Sequence, residues 1–388
     1  MRISAKGIFT ACLALALAGC ASVEVTTPAG PAVPEPEPQL AHWRFDDTRP
    51  PADHDGYRPP RRLAVLLPMT GQLATAAASV RDGLLAGYYG ERRQRPELVF
   101  YDTGGTPAGT LAAHARALAE GADQILGPLG RDEVSALLHA PSDVPLLALN
   151  NSDAPLPLNV AGFALSPEDE GAAIATYLAA RNARRVLVLS NGDDSAVRAI
   201  GVLRRQLEAA GGGIAATLAV TGDGPVDLTD SLRTAAAGEG GIDATVLALR
   251  GPQARMVAPQ LSAAGLGLRL RIATSQITSG TGRQEEDHVL DGIVFPGETW
   301  TLGGSTPLPS AASLAGELPT ARGPAARLFA FGYDAWLLSG RLQHLAGTRD
   351  ASLEGATGIL RIDADGNVRR TPAWAVWSNG TAILQPGN

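Results

Sequence analysis

Leu63-Ala64-Val65-Leu66-Leu67-Pro68, followed by Thr70-Gly71 and a helix-length stretch from Leu73 to Tyr89, is the run on which the fold turns. Its apolar residues are unbroken by polar alternation and are closed by a proline, so they read as a strand buried on both faces. The same unit recurs. Strand-type runs lie at Leu98 to Tyr101, Gln124 to Leu126 and Pro145 to Leu149, with helical stretches at Pro107 to Glu120 and Arg131 to His139. Buried strands alternating with helices predict a parallel sheet covered on both faces.

The pattern restarts after a bridging run, Gly162 to Leu165. Ser166-Pro167-Glu168-Asp169 has the form of a helix start, with serine as cap, proline at the first position and an acid three residues on. Further strand runs occur at Val186 to Leu189, Ile214 to Val220, Thr245 to Leu249, Leu270 to Thr274 and Ile293 to Pro296, and a helix is expected from Pro324 to Leu345. The tail, Gly358 to Ile362 and Ala373 to Trp377, reads as antiparallel about a turn at Asp365-Gly366-Asn367. The expected architecture is α/β: two doubly wound parallel-sheet lobes around a cleft, one of residues 61–160 plus 290–345, the other of 165–290 plus 350–388.

Ligands of such sheets sit beyond the carboxyl ends of the strands. That places Thr70, Gly71, Gly127, Pro128, Leu129, Asn150, Asn151, Ser152, Ser190, Asn191, Ser275, Gln276 and Trp300 as candidates to line the cleft.

Upstream, Arg2 and Lys6 precede an apolar run from Ile8 to Ala18 that ends in Leu17-Ala18-Gly19-Cys20. A short charged–apolar–small-residue order describes an export signal, residues 1–19, rather than a bilayer-spanning helix. Cys20 resembles the lipidated cysteine of bacterial lipoproteins, where two acyl chains give stable anchoring. Since Cys12 leaves with the signal, the mature chain has no internal disulfide. Residues 20–60 carry nine prolines between Pro28 and Pro60 and read as a lipidated, disordered tether of extended character. Within it, His42-Trp43-Arg44-Phe45 either folds back onto the globular body or anchors a partner.

Net charge is −7, and −9 once the two signal cations are removed, which argues against nucleic acid as a partner. Lys6 is the only lysine, so a phosphate-binding Gly-Lys-Ser/Thr loop and a Ser-x-x-Lys nucleophile are excluded from the mature chain. No Gly-x-Gly-x-x-Gly follows a strand, no Gly-x-Ser-x-Gly occurs, and the six histidines form no His-x-x-x-His pair. No cofactor, metal or catalytic residue is expected. The acidic runs Asp193-Asp194 and Glu285-Glu286-Asp287 read as caps or solvated faces. The arginine pairs, Arg369-Arg370 among them, also read as solvated faces, one or two of which could dock an acidic partner patch.

Leu66-Leu67-Pro68-Met69-Thr70-Gly71, 121–129 (Gly-Ala-Asp-Gln-Ile-Leu-Gly-Pro-Leu) and Val144-Pro145-Leu146-Leu147-Ala148-Leu149-Asn150 resemble strands and loops of type I periplasmic-binding-protein folds. Within that superfamily, several stretches resemble the LppC/LpoA-type penicillin-binding-protein activators. They are Ala273-Thr274-Ser275-Gln276-Ile277, Leu290-Asp291-Gly292-Ile293 with Trp300, Phe329-Ala330-Phe331-Gly332-Tyr333-Asp334-Ala335, Gly355-Ala356-Thr357-Gly358-Ile359-Leu360 and Trp374-Ala375. The resemblance implies a non-enzymatic lipoprotein at the periplasmic face of the outer membrane that binds a class A penicillin-binding protein and stimulates peptidoglycan synthesis. Longer members carry a TPR-like domain where this chain has the Pro-rich stretch. The alternative is a solute-binding lipoprotein delivering a small ligand to a transporter or sensor.

Overall fold

The computed structural model describes residues 42–385, apart from 141, 152, 153 and 223. Cys20, the signal and the tether as far as residue 41 lie outside the described residues.

The first sheet is wholly parallel, with spatial order β2-β1-β3-β4-β5. Its strands are β1 (Arg62–Leu67), β2 (Glu97–Asp102), β3 (Gln124–Leu126), β4 (Leu146–Ala148) and β5 (Val160–Gly162). Leu63 to Leu67 are fully buried because helices cover both faces: α1 (Ala74–Gly90), α2 (Pro107–Ala119) and α3 (Arg131–Leu138). The second sheet runs β15-β14-β10-β9-β8-β6-β7. β6 (Arg185–Ser190), β7 (Gly213–Ala219), β8 (Ala244–Ala248), β9 (Leu270–Ala273) and β10 (Val294–Gly297) are parallel, and β14 (Ala373–Ser378) and β15 (Thr381–Leu384) add an antiparallel edge. Its longer helices are α4 (Pro167–Ala179), α5 (Asp194–Ala209), α6 (Thr229–Ala237) and α7 (Gly251–Ala263). Ser166 caps α4, its Oγ accepting from the Glu168 amide at 3.2 Å, with Pro167 at the first position as its sequence predicts.

Lobe membership differs from expectation after residue 290. β10 pairs with β9 and β14, so 294–297 belong to the second sheet. The chain then returns to the first lobe, where α8 (Ala325–Ser339) packs along α1. β11 (Leu353–Glu354), β12 (Ile359–Ile362) and β13 (Val368–Thr371) form a separate antiparallel sheet whose Leu360, Ile362 and Val368 enter the first lobe's core. The Asp365-Gly366-Asn367 turn therefore joins β12 to β13. The Ala373 run leaves to pair with β10, because Pro372 has no amide with which to continue the ladder. The helix expected to reach Leu345 is divided at Gly340 into α8 and Leu342–Gly347.

Residues 42–60 belong to the body and not to the tether, and of the two readings of His42-Trp43-Arg44-Phe45 the fold back onto the globular body is the one observed. Trp43 is buried in the first lobe's core and stacks on Phe45 at 5.7 Å. The Arg49 guanidinium, 3 % exposed, reaches Asp123 at 3.1 Å and the Gln124 carbonyl oxygen Oε1 at 3.1 Å. Composition hides this because isolated anchors among prolines show no periodic pattern.

Candidate functional site

Three chain segments cross between the lobes: 163–166, the stretch after β10 that starts at Glu298, and the link around Pro372. Along this seam lie two small cavities that share Leu165, Pro167 and Leu328. One, of about 190 Å³, meets Glu170, Asn191, Asp193, Thr274, Gln276 and Arg327. The other, of about 180 Å³, meets Leu129, Asn150, Arg131, Arg198 and Phe331.

The sequence-derived candidates divide accordingly. Leu129 and Asn150 line the second cavity, and the Asn150 amide donates to the Leu129 carbonyl at 3.0 Å. Asn191 and Gln276 line the first. Asn151 donates its backbone N–H to the Asn150 side chain and lines neither, while Ser152 is outside the described residues. Ser190 is buried and accepts from the Gly192 amide at 3.1 Å. Thr70 is bound to Asp102, whose carboxylate accepts the Thr70 hydroxyl at 2.8 Å and the Met69 and Gly104 amides at 2.9 Å. Gly71 accompanies Thr70 on that exposed loop, away from both cavities. Gly127 and Pro128 serve the sheet: the Gly127 amide donates to Leu147 and the Pro128 carbonyl accepts from Leu149. Gly127 has φ 100° and an added Cβ would strike the Leu66 carbonyl, so glycine is required there. Trp300 is a correction. It is 1 % exposed, stacks on Phe329 at 5.2 Å and donates its indole N–H to the Pro309 carbonyl at 2.8 Å, so it is core and not cleft wall.

A buried charge cluster that no sequence motif marks lies at the crossings. Arg327, on α8 of the first lobe, donates to Glu298 at 2.8 Å and to Glu170, on α4 of the second, at 3.4 Å. Glu170 in turn accepts the Ser275 amide at 2.9 Å and its hydroxyl at 2.5 Å, which accounts for Ser275. Arg370, 5 % exposed, lies 3.9 Å from Glu298 and donates to the Thr357 carbonyl at 3.3 Å, which corrects the expectation of a solvated face for Arg370, while Arg369 beside it is exposed. Burial would raise the Glu298 pKa, but the Arg327 and Arg370 charges outweigh it and hold the carboxyl below its usual range. Asp169, next to Glu170, is pushed up to about 6 by burial against the pull of Arg370 and Arg369. No local signal marks these residues, because Glu170 reads as one more acid in a helix's first turn and Arg327 as one of many arginines.

The seam joins the two lobes, and Arg327, which lines the first cavity, is engaged there by the protein's own carboxylates. Asp193 caps α5 by accepting the Ala196 amide at 2.8 Å, and Asp287 is paired with Arg255 at 2.8 Å, so two of the acidic-run carboxylates have structural tasks. Among the described residues no group of three metal-ligating side chains occurs, and no helix is long and apolar enough to cross a membrane.

A family model described as "LppC putative lipoprotein" matches residues 57–380. The chain belongs to the LppC family. Similar proteins include the penicillin-binding protein activator LpoA of Escherichia coli K12, 24 % identical over 328 residues, covering 74 % of this chain and 47 % of that protein. The LpoA of Vibrio antiquarius is 26 % identical over 351 residues, 81 % of this chain and 57 % of that one. This chain thus spans about half the length of the named E. coli relatives. Among solved structures, the C-domain of LpoA (YraM) from Haemophilus influenzae, titled a regulator of PBP1A, superposes with TM-score 0.72 at 21 % identity, over 84 % of this chain and 100 % of that one. A protein titled a putative branched-chain amino acid ABC transporter from Chromobacterium violaceum superposes with TM-score 0.64 at 27 % identity, over 81 % and 99 %. The fold is therefore that of the LpoA C-domain and of periplasmic binding proteins.

Proposed function

We propose that this chain is a lipid-anchored envelope protein that binds a class A penicillin-binding protein and stimulates its peptidoglycan synthesis. Cys20 would carry the anchor at the periplasmic face of the outer membrane. The observation that carries this reading is the match over the whole of a domain titled a regulator of PBP1A, inside a family match of 57–380. A regulator that contributes no catalytic group acts by binding the active conformation of its partner more tightly. A differential affinity of about 1–3 kcal/mol corresponds to roughly 5- to 150-fold.

The two-lobed cleft also favours a second reading, a solute-binding lipoprotein. Against it, the cleft arginine Arg327 is already engaged by Glu298 and Glu170, so a ligand carboxylate would have to displace a buried carboxylate to reach it. One pair of measurements separates the readings. Residues 21–388 added to a purified class A synthase are expected to raise glycan polymerisation or crosslinking, and amino acids are expected to leave the melting temperature unchanged. A ligand-dependent rise in melting temperature, with no binding to the synthase, would reverse the ranking.

A further inference from the structure

Helix α4 of the second lobe packs against β13, whose sheet enters the first lobe's core, so the lobes meet there directly. Asp169 stands on that contact. Its side chain is 9 % exposed, and the nearest guanidinium nitrogen is Arg369 Nη1, 4.0 Å away on β13. Arg369 is half exposed and already taken by Asp363 at 2.6 Å. Arg370 donates from Nη1 to the Thr357 carbonyl, and its Nε and Nη2 make no hydrogen bond among the described residues. Asp169 is therefore a nearly buried carboxyl that accepts no hydrogen bond among those residues.

The charges that act on Asp169 do not balance. They are Arg370 and Arg369 on β13, and Glu168 and Glu170 on its own helix. Glu168 is paired with Arg198, and Glu170 with Arg327 of α8. Arg370 is also the counter-charge of Glu298 and of Asp334, so one buried guanidinium serves three carboxyls. Glu298 has Arg327 besides, and Asp334 has the Ala356 and Thr357 amides, a contact that lies wholly within the first lobe. Asp169 is the carboxyl left over, and burial without a dedicated counter-charge favours its protonated form. Parting α4 from β13 returns it to water and to the ordinary value of 3.8, against about 6 in the structure. The joined lobes therefore hold the proton more tightly than parted ones. That preference is fully present below about pH 4 and is lost as pH rises through 6. We propose that this seam is a proton-operated latch: protonated Asp169 keeps α4 on β13, and loss of the proton loosens the lobes.

Cys12 and Cys20 are the only cysteines, so residues 21–388 take spin labels only where cysteine is introduced. Ala108, in the first turn of α2, and Val197, in the first turn of α5, are exposed and follow the carboxyl ends of β2 and β6 in opposite lobes. With Ala108→Cys and Val197→Cys labelled, double electron–electron resonance reads the distance between the lobes. A longer distance is expected at pH 8 than at pH 5, as the ratio of joined to parted molecules falls about tenfold. Asp169→Asn, neutral at both values, is expected to keep the short distance throughout. Asp334 is also pushed up to about 6, and this comparison separates it from Asp169. Arg369→Ala removes a half-exposed cation that favours the ionised form, and is expected to move the midpoint upward. An unchanged distance between pH 5 and 8, a change that survives in Asp169→Asn, or a midpoint that Arg369→Ala leaves in place or lowers would overturn the proposal.

Discussion

Asp169 and Trp43 show what burial does to single residues. The Asp169 carboxyl sits at about 6 in the folded chain, above the ordinary aspartate value, so the folded state holds its proton more tightly than the unfolded state does. That contribution is fully present below about pH 4 and is lost as pH rises through 6, a decline of up to about 3 kcal/mol. Asp169→Asn is expected to remove this part of the decline, read as the difference from wild type in urea unfolding at pH 4.5 and 7. Identical profiles for the two proteins would dismiss the burial argument. Trp43, from a stretch that reads as tether, fills the first lobe's core, so Trp43→Ala is expected to cost about 3–5 kcal/mol. A loss below 1 kcal/mol, measured the same way, would mean that the segment adds little to the body.

At the scale of the elements, the helices α1 and α8 cross backbone to backbone. An added Cβ at Gly83 would strike the Phe329 carbonyl, and one at Gly332 the Val80 carbonyl. In an isolated helix, glycine to alanine gains about 1 kcal/mol. Here Gly332→Ala is expected to destabilise by about 1–3 kcal/mol, because the backbones must separate to admit the methyl group. A melting temperature that rises would refute the close crossing. The same helix ties two distant stretches together. Asp334 accepts the Ala356 amide at 2.6 Å, and the Thr357 amide and hydroxyl at 2.8 and 2.6 Å, which joins the Phe-Gly-Tyr-Asp run to Gly355-Ala356-Thr357-Gly358.

At the scale of the whole molecule, Arg327 links the first lobe to Glu170 of the second, while Glu298 anchors it at a crossing. Arg327→Gln shortens that link and leaves two buried carboxylates without their main counter-charge. A larger radius of gyration in small-angle scattering is therefore expected, and an unchanged one would show that packing alone holds the lobes together. Read alone, the chain determined the alternation of buried strands and helices, the existence of two largely parallel sheets and the family resemblance. Each of these is written locally, as runs, caps and spacings. Which lobe received β10 and the 353–371 sheet, the core position of Trp300 and the Glu170–Arg327–Glu298–Arg370 cluster were decided in the tertiary structure. Burial and ion pairing depend on which segments meet, 29 residues apart for Arg327 and Glu298 and 157 for Arg327 and Glu170, and no local window of sequence carries those distances.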